Sequence, residues 1–551
     1  METTAQQTRQ GAELLIDALE AAGIDTVFGV PGEETTALMS AVSASDLNFV
    51  LCRHEQAAAF MAGVHGRLTG QPAVCLATLG PGATNLVTGV ADATLDFVPM
   101  IVITGQGALD RLGRESHQII DLEALFAPVT KQSKTLLNAE SIPGAVAEAV
   151  RIARAEKPGA VHLCLPEDVA SAQSSAPIVM TPPPGSPLPD ETALQQACDR
   201  IRQADRPVLL VGAGALRAQA AAATRQFAEA TGIAVVTSFM AKGILPPDHP
   251  LSLFSVGQPE GDYIDMGLEA ADLILSVGFD PVEYPLSDLT RDGVTPVVHL
   301  GETDAPADAG WQVTAQATGS LTASLEALCD LLDGHRWEMP STFAAVRDGM
   351  QKTMARSHTV SPKGPIAPQD ICAEITAQLS PDDTVLSGVG LHKLWVARHL
   401  LPKRPGQVII PNGLAGMGLA LPGAMAAARL QSKGRVLAIC GDGDVLMNVQ
   451  DMETAARLGL DLTVLVWEDG GYALIDEHQD KEEGETPEFR FGRPDWGRLA
   501  KAFGWSHGAV TGLADLAEVL RAAQDCAGPT LISLQVDYDA GGGLPGIRKA
   551  A

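Results

Sequence analysis

Two short runs carry the residue types that could hold a metal and a phosphate group: Ile439-Cys440-Gly441-Asp442-Gly443-Asp444 and, further on, Glu468-Asp469-Gly470-Gly471-Tyr472. Each follows an apolar run, 435–440 and 462–467, that reads as a strand, and the residues from Val445 to Leu458 read as an amphipathic helix between them. A strand, helix, strand order predicts two parallel strands whose carboxyl ends face one crevice, so Asp442 and Asp469 can share a hard cation. Mg²⁺ suits such a pair, because it takes oxygen ligands and keeps positions for substrate phosphates. Gly441, Gly443 and Gly471 let a diphosphate approach the backbone. An isolated Asp-Gly is ordinary turn chemistry; the weight here comes from the strand and helix context.

The elements that position these runs fall into three pieces. Two segments cannot propagate a helix or a central strand: 171–190, with its Thr-Pro-Pro-Pro-Gly-Ser-Pro-Leu-Pro, and 357–369, with Pro362, Gly364, Pro365 and Pro368. Domains over 1–172, 190–340 and 366–540 are expected, each within the usual size range. A faint internal repeat links the outer two. Arg67-Leu-Thr-Gly-Gln-Pro-Ala-Val-Cys-Leu-Ala-Thr-Leu-Gly-Pro-Gly, a helix and 100–104 mirror Arg429-Leu-Gln-Ser-Lys-Gly-Arg-Val-Leu-Ala-Ile-Cys-Gly-Asp-Gly, a helix and 463–467. The middle piece has its own apolar runs at 207–211, 234–237, 273–276 and 296–300, alternating with helical patterns. The expected fold class is α/β, with three doubly wound parallel-sheet domains. Gly212-Ala-Gly214 opens like a dinucleotide fingerprint but lacks the third glycine at the required spacing.

Composition excludes several functions. The 551 residues are 46% hydrophobic and 19% charged, enough for large buried cores. With 38 Lys plus Arg against 67 Asp plus Glu, the net charge of −29 repels nucleic acid and anionic membranes, so neither partner is expected. The eight cysteines are scattered, form no Cys-x-x-Cys pair and mostly sit in apolar runs. That pattern reads as buried thiols in a reducing cytoplasm. The first residues are polar, without a hydrophobic signal core, and no apolar run reaches about 18 residues.

Two N-terminal runs join the first two: Arg53-His-Glu55-Gln-Ala-Ala-Ala-Phe-Met61 and Leu79-Gly-Pro-Gly-Ala-Thr-Asn85-Leu-Val-Thr-Gly-Val-Ala-Asp92. Together they resemble the thiamine-diphosphate enzymes, and nearly the whole chain resembles their acetolactate synthase branch. The resemblance implies a pyrimidine-binding first domain, a central domain and a diphosphate- and Mg²⁺-binding third domain. It implies that Glu55 hydrogen-bonds the cofactor's pyrimidine. Glu55 lies beside Ala57, Ala58, Ala59 and Phe60, an apolar setting where a carboxyl group shares a proton more readily than in water. His117 and Gln118 match residues on the reacting face, and the His-Gln pair is similar to the catabolic, flavin-free members. Met417 matches the apolar wedge that bends the cofactor. Gly390, His392, Gly441, Asp442, Gly443, Asp444 and Tyr472 match its diphosphate surroundings, and Asp442, Asp469 and Gly471 its metal site. The run Phe279-Asp280-Pro-Val-Glu283-Tyr284 also follows the catabolic pattern, so FAD is not expected. A homodimer or homotetramer is implied, with each active site at the subunit interface; a regulatory small subunit is left open.

The chain departs from the family at several places. Asp444 replaces a small residue, so its charge must be offset by Mg²⁺ or turned outward. Glu468 replaces the first Asn of the common Asn-Asn pair. His478 stands where anabolic members carry Trp, and Asp476, Glu477 and Asp480 beside it would repel an anionic second substrate. The resemblance implies condensation of two pyruvates to 2-acetolactate with loss of CO₂. The alternative is a 2-keto acid decarboxylase, or a carboligase with another acceptor such as an aldehyde, which the acidic run favours. A homologue that binds without turnover is a third reading, opposed by the retention of Glu55, Asp442 and Asp469.

Overall fold

The computed structural model describes residues 8–180, 182, 185–256, 263–291, 293–308, 310–354, 363–482 and 487–540; the side chains at 478, 480–482 and 487 lie outside that description. Three six-stranded parallel sheets organise it. Along the chain, the N-terminal sheet takes Thr26–Val30, Asn48–Leu51, Ala73–Ala77, Met100–Gln106, Gln132–Thr135 and Ala160–Pro166. The C-terminal sheet takes Thr384–Ser387, Val408–Ile409, Val436–Gly441, Thr463–Glu468, Ser506–Val510 and Thr530–Gln535. In both, the spatial order is second, first, third, fourth, sixth, fifth, so the faint repeat is one topology used twice. The central sheet takes Pro207–Val211, Ala234–Thr237, Ser252–Ser255, Leu273–Val277, Val297–Gly301 and Val313–Thr318. Its order is third, second, first, fourth, fifth, sixth, that of doubly wound nucleotide-binding sheets. Val74, Leu76, Ile101, Ile103, Leu209, Leu275, Ile439 and Leu465 are all buried. Helices cover both faces of such sheets, which is why the strands read as continuous apolar runs rather than alternating ones.

Three sheets make two compact units. One holds the N-terminal sheet together with Gly413–Gln431 and Leu446–Leu460; the other holds the central and C-terminal sheets. In the first, the helix Ala420–Leu430 packs along Glu55–Thr69. A division by linear breaks alone misses this exchange of segments. The expected continuous helix after Asp444 is also corrected. A turn of helix at Asp442–Val445 stops, and a second helix runs from Met452 to Arg457. The break falls where the chain passes from one unit to the other. Asn448 turns out of helical geometry and donates its amide to Gly418 O at 3.0 Å. Asp451 then takes the Arg53 N–H and the Thr454 hydroxyl, each at 2.9 Å.

Among the described residues no helix is long and apolar enough to cross a membrane. All eight cysteines are free of disulfides, and six are buried.

Candidate functional site

The C-terminal sheet reverses its strand order between Thr384–Ser387 and Val436–Gly441, and the loops leaving such a switch point form the ligand crevice of doubly wound sheets. The first loop is Gly388-Val389-Gly390, opening the helix Leu391–His399; the second is Asp442-Gly443-Asp444. Strand Thr463–Glu468 pairs beside Val436–Gly441 in parallel, Gly441 opposite Trp467, which brings the second carboxylate run alongside.

Asp442 is 1% exposed. Its Oδ1 accepts the Gly443 N–H at 2.8 Å and its Oδ2 the Gly470 N–H at 2.9 Å, so the two loops are tied through this carboxylate. Asp469 Oδ1 accepts the Gly471 N–H at 2.9 Å. Burial, and then the Asp442 charge, push the Asp469 carboxyl up to about 7, and burial also raises Asp442. Two close carboxylates that resist joint ionisation are relieved by a shared divalent cation. No cluster of three or more His, Cys, Asp or Glu metal ligands occurs among the described residues. Two carboxylates nonetheless suffice for Mg²⁺ that keeps water and phosphate oxygens as its other ligands.

The glycines let neighbouring side chains close on the backbone of the turns. A Cβ on Gly441 would stand 3.1 Å from the His392 ring, and one on Gly443 2.8 Å from Tyr472 and 3.2 Å from Phe491. His392 is 2% exposed and its Nε2 has no hydrogen-bond partner. Burial and the neighbouring Lys393 push the imidazole down to about 3, against the Gly388 backbone that takes its N–H, so the ring is neutral and its single N–H is held within the loop. Gly390 lies against the same ring. Tyr472 is 38% exposed and meets Phe491 edge-on at 5.2 Å. The paired carboxylates on two linked turns fit a Mg²⁺ ion that keeps phosphate oxygens among its ligands.

Asp444 is 1% exposed, so it is not turned outward, and its Oδ1 accepts the Val389 N–H at 3.1 Å. The carboxylate packs so close to Gly388 that any side chain there would collide with it. Asp476 is likewise drawn in, 5% exposed and ion-paired with Arg490. The side chains of His478 and Asp480 lie outside the described residues.

In the N-terminal unit, Glu55 begins the helix Glu55–Thr69, capped by His54, whose Nδ1 accepts the Gln56 N–H at 3.1 Å. Glu55 is 9% exposed, and the Asn85 amide donates to its Oε2 at 2.9 Å. That contact depends on close helix packing: a Cβ on Gly89, one turn beyond Asn85, would stand 2.5 Å from the Ala59 methyl. Gly82 faces Glu55 Oε1, and Gly80 faces the backbone of Gln118. Gln118 is exposed and holds a left-handed φ of 59°, a strained geometry for a residue other than glycine. His117 is exposed, its carbonyl accepting from Arg111 at 3.4 Å. Met417, half-buried, takes the Gln56 side-chain amide on its carbonyl at 3.4 Å. This unit thus gathers Glu55, Gln118 and the Met417 segment around neighbouring turns.

The pairing of Asn85 with Glu55 is not apparent in the sequence, although Asn85 lies in the run from Leu79 to Asp92. Nor are Phe491, Arg490, Arg493 and Tyr538 apparent there as site residues. The alternation Phe489-Arg490-Phe491-Gly492-Arg493 was the available strand signal. The Tyr538 hydroxyl is buried without a hydrogen-bond partner, and burial followed by the Asp469 and Asp442 charges raises it well above a phenol's ordinary value.

The central sheet's switch point, between Pro207–Val211 and Leu273–Val277, is filled from within. The Glu283 carboxylate accepts the Ala213 N–H at 2.9 and 3.0 Å, the Asp280 N–H at 3.1 Å and the Ser238 hydroxyl. It lies against Gly212, where a nucleotide phosphate would meet the backbone in a dinucleotide fold.

Three family models match the chain: the thiamine pyrophosphate enzyme N-terminal TPP binding domain over 9–125, the central domain over 194–328 and the C-terminal TPP binding domain over 388–534. Acetolactate synthase of Bacillus subtilis (strain 168) is 32% identical over 96% of this chain and 93% of its own length. The catabolic acetolactate synthase of Raoultella terrigena is 30% identical over 97% and 96%. Acetolactate synthase isozyme 2 large subunit of Escherichia coli (strain K12) is 30% identical over 96% and 95%. With the three domains in order, and with relatives alike over almost their full length, the chain belongs to the acetolactate synthase family of thiamine pyrophosphate enzymes.

Proposed function

We propose that this chain condenses two pyruvate molecules to 2-acetolactate with release of one CO₂, using thiamine diphosphate and Mg²⁺. The observation that carries the reading is the pair Asp442 and Asp469 on adjacent glycine turns at the switch point, the two turns joined by the Gly470 N–H on Asp442. Thiamine diphosphate, when bound, supplies a thiazolium carbon that adds to ketones and stabilises the charge left by decarboxylation. Asp442, Asp469 and the backbone at Gly471 would hold Mg²⁺. The turns at Gly390, Gly441 and Gly443, beside the buried His392 ring, would receive the diphosphate. Glu55, held by Asn85, would share its proton with the pyrimidine ring. Met417 would fix the bent shape of the cofactor, and the exposed Gln118 and His117 would orient the keto acids.

We read the chain as working without flavin, in the manner of the catabolic members, because Glu283 already occupies the backbone donors a nucleotide phosphate would use. We place it in the cytoplasm as a homodimer or homotetramer; full activity in a monomer, measured by sedimentation of the active species, would remove the second part. Asp476 is buried and paired with Arg490, so its charge no longer counts toward an aldehyde acceptor over a second keto acid.

Mass-spectrometric product analysis after incubation with pyruvate, thiamine diphosphate and Mg²⁺ tests the reading. 2-Acetolactate is expected. Acetaldehyde as the sole product would make the chain a decarboxylase.

A further inference from the structure

The metal turns carry more negative charge than a Mg²⁺-diphosphate site requires. Asp444 is answered by the Val389 N–H. Glu468, 9% exposed, has side-chain donors in Trp496 and Ser533 and a cation in Arg493, set against the Asp442 carboxylate, whose charge opposes its own. An incoming diphosphate would add further negative charge at this place.

One exposed cation is positioned to meet it. The segment Phe489 to Phe491 pairs antiparallel with Gly470 to Tyr472: the Tyr472 N–H donates to Phe489 O at 3.0 Å, the Phe491 N–H to Gly470 O at 2.9 Å, and Gly471 bridges Arg490. Two residues on, Arg493 folds over the turn. A Cβ built on Gly470 would stand 3.4 Å from Arg493 Nε and 3.9 Å from Nη2. The Gly470 N–H is the donor that holds Asp442 Oδ2, so the guanidinium lies over the link between the two metal carboxylates. It acts electrostatically on Asp442, Glu468 and Asp469 together. Arg490, the other cation of the segment, is committed to Asp476.

We propose that Arg493 is a cofactor-retention residue: its guanidinium offsets Glu468 and presents a planar set of donors to the diphosphate entering over the Gly470 turn. Arginine suits this role because its fork matches phosphate oxygens bidentately. The inference rests on the thiamine diphosphate reading and deepens it, assigning a second cationic group besides the metal.

The test is calorimetric titration of the full-length chain with thiamine diphosphate at saturating Mg²⁺, comparing wild type with Arg493→Gln, Arg493→Lys, Glu468→Gln and the double variant Arg493→Gln/Glu468→Gln. Arg493→Gln is expected to weaken binding about tenfold or more at low salt and less at high salt, as screening requires. Arg493→Lys should recover part of the loss. Adding Glu468→Gln to the Arg493→Gln variant should restore affinity, because the two groups are coupled. Glu468→Gln alone should leave binding equal or tighter, which keeps the proposal exposed even where Arg493→Gln misfolds. Unchanged affinity in Arg493→Gln, or an equal loss with and without Glu468, overturns it and leaves Arg493 a structural part of the segment. Failure of the wild type to bind thiamine diphosphate would overturn the functional reading itself.

Discussion

The Asn85 side-chain amide donates to the Glu55 carboxylate at 2.9 Å between two packed helices, Glu55–Thr69 and Pro81–Leu95. The contact leaves the other carboxylate oxygen facing Gly82, which has no side chain to block it. Glu55 is therefore aimed rather than merely buried. Glu55→Gln should bind the cofactor yet slow proton loss from the thiazolium carbon roughly a hundredfold or more, the usual scale of general acid-base contributions. Deuterium exchange at that carbon is the measurement, and a wild-type rate would remove Glu55 from the role. Asn85→Ala should cost less, about tenfold, since it frees the carboxylate without deleting it.

Asp442 accepts backbone donors from both turns, so removing it disconnects them as well as losing a ligand. Asp442→Ala should fold, because the residue ends a strand whose apolar contacts lie elsewhere, and should lose Mg²⁺-dependent affinity for thiamine diphosphate by at least about tenfold. Calorimetry with and without Mg²⁺ checks this; equal affinity in variant and wild type would withdraw the metal assignment.

The settings of these two carboxylates were legible in the sequence because they are local: one lies between glycines after an apolar run, the other among alanines. Three other features were not. The Asn85 contact needs two helices to approach through Gly89 and Ala59, and a run of residues carries no information on that distance. Arg493 reaches the Asp442 and Asp469 turns through an antiparallel bridge formed across an intervening acidic helix, Ala473–Glu482, a non-local pairing that local periodicity cannot reveal. Asp444 read as surplus charge because a slot made by the absent side chain of Gly388, with the Val389 amide beyond it, exists only once both switch-point strands are aligned. The single helix expected after Asp444 failed for a related reason: Asn448 and Asp451 find backbone partners on distant segments, and those outcompete helix continuation.

Glu283 predicts a pH dependence in the central domain. Burial pushes its carboxyl up to about 7 from an ordinary 4.5, against the lowering effect of the Ser238, Ala213 and Asp280 hydrogen bonds and of Arg217. The folded chain holds a proton there that the unfolded chain releases at lower pH. Its contribution is complete below about 4.5 and is lost as pH rises through about 7. Glu283→Gln stays neutral throughout, so the wild type should lose stability relative to the variant over that window, by on the order of 3 kcal/mol at most. Thermal unfolding of both proteins across the window reads this directly, and parallel profiles would contradict it.

Under the proposed function, substrate choice would turn on the residues beyond Tyr472. Asp476 is neutralised by Arg490, and the nearby aromatic surface is the Tyr472–Phe491 pair rather than a tryptophan at position 478. Competition between pyruvate and 2-ketobutyrate should show a preference below about tenfold, since one buried methylene is worth about 1 kcal/mol. A larger preference for 2-ketobutyrate would mean that the pair encloses the extra methylene after all.

The stoichiometry of the reaction tests the proposed condensation most directly. With ¹³C-labelled pyruvate, thiamine diphosphate and Mg²⁺, time-resolved NMR should show two pyruvates consumed for each CO₂ released, with 2-acetolactate as the carbon-bearing product. One CO₂ per pyruvate with acetaldehyde accumulating, or no turnover in a chain that binds the cofactor, would contradict it.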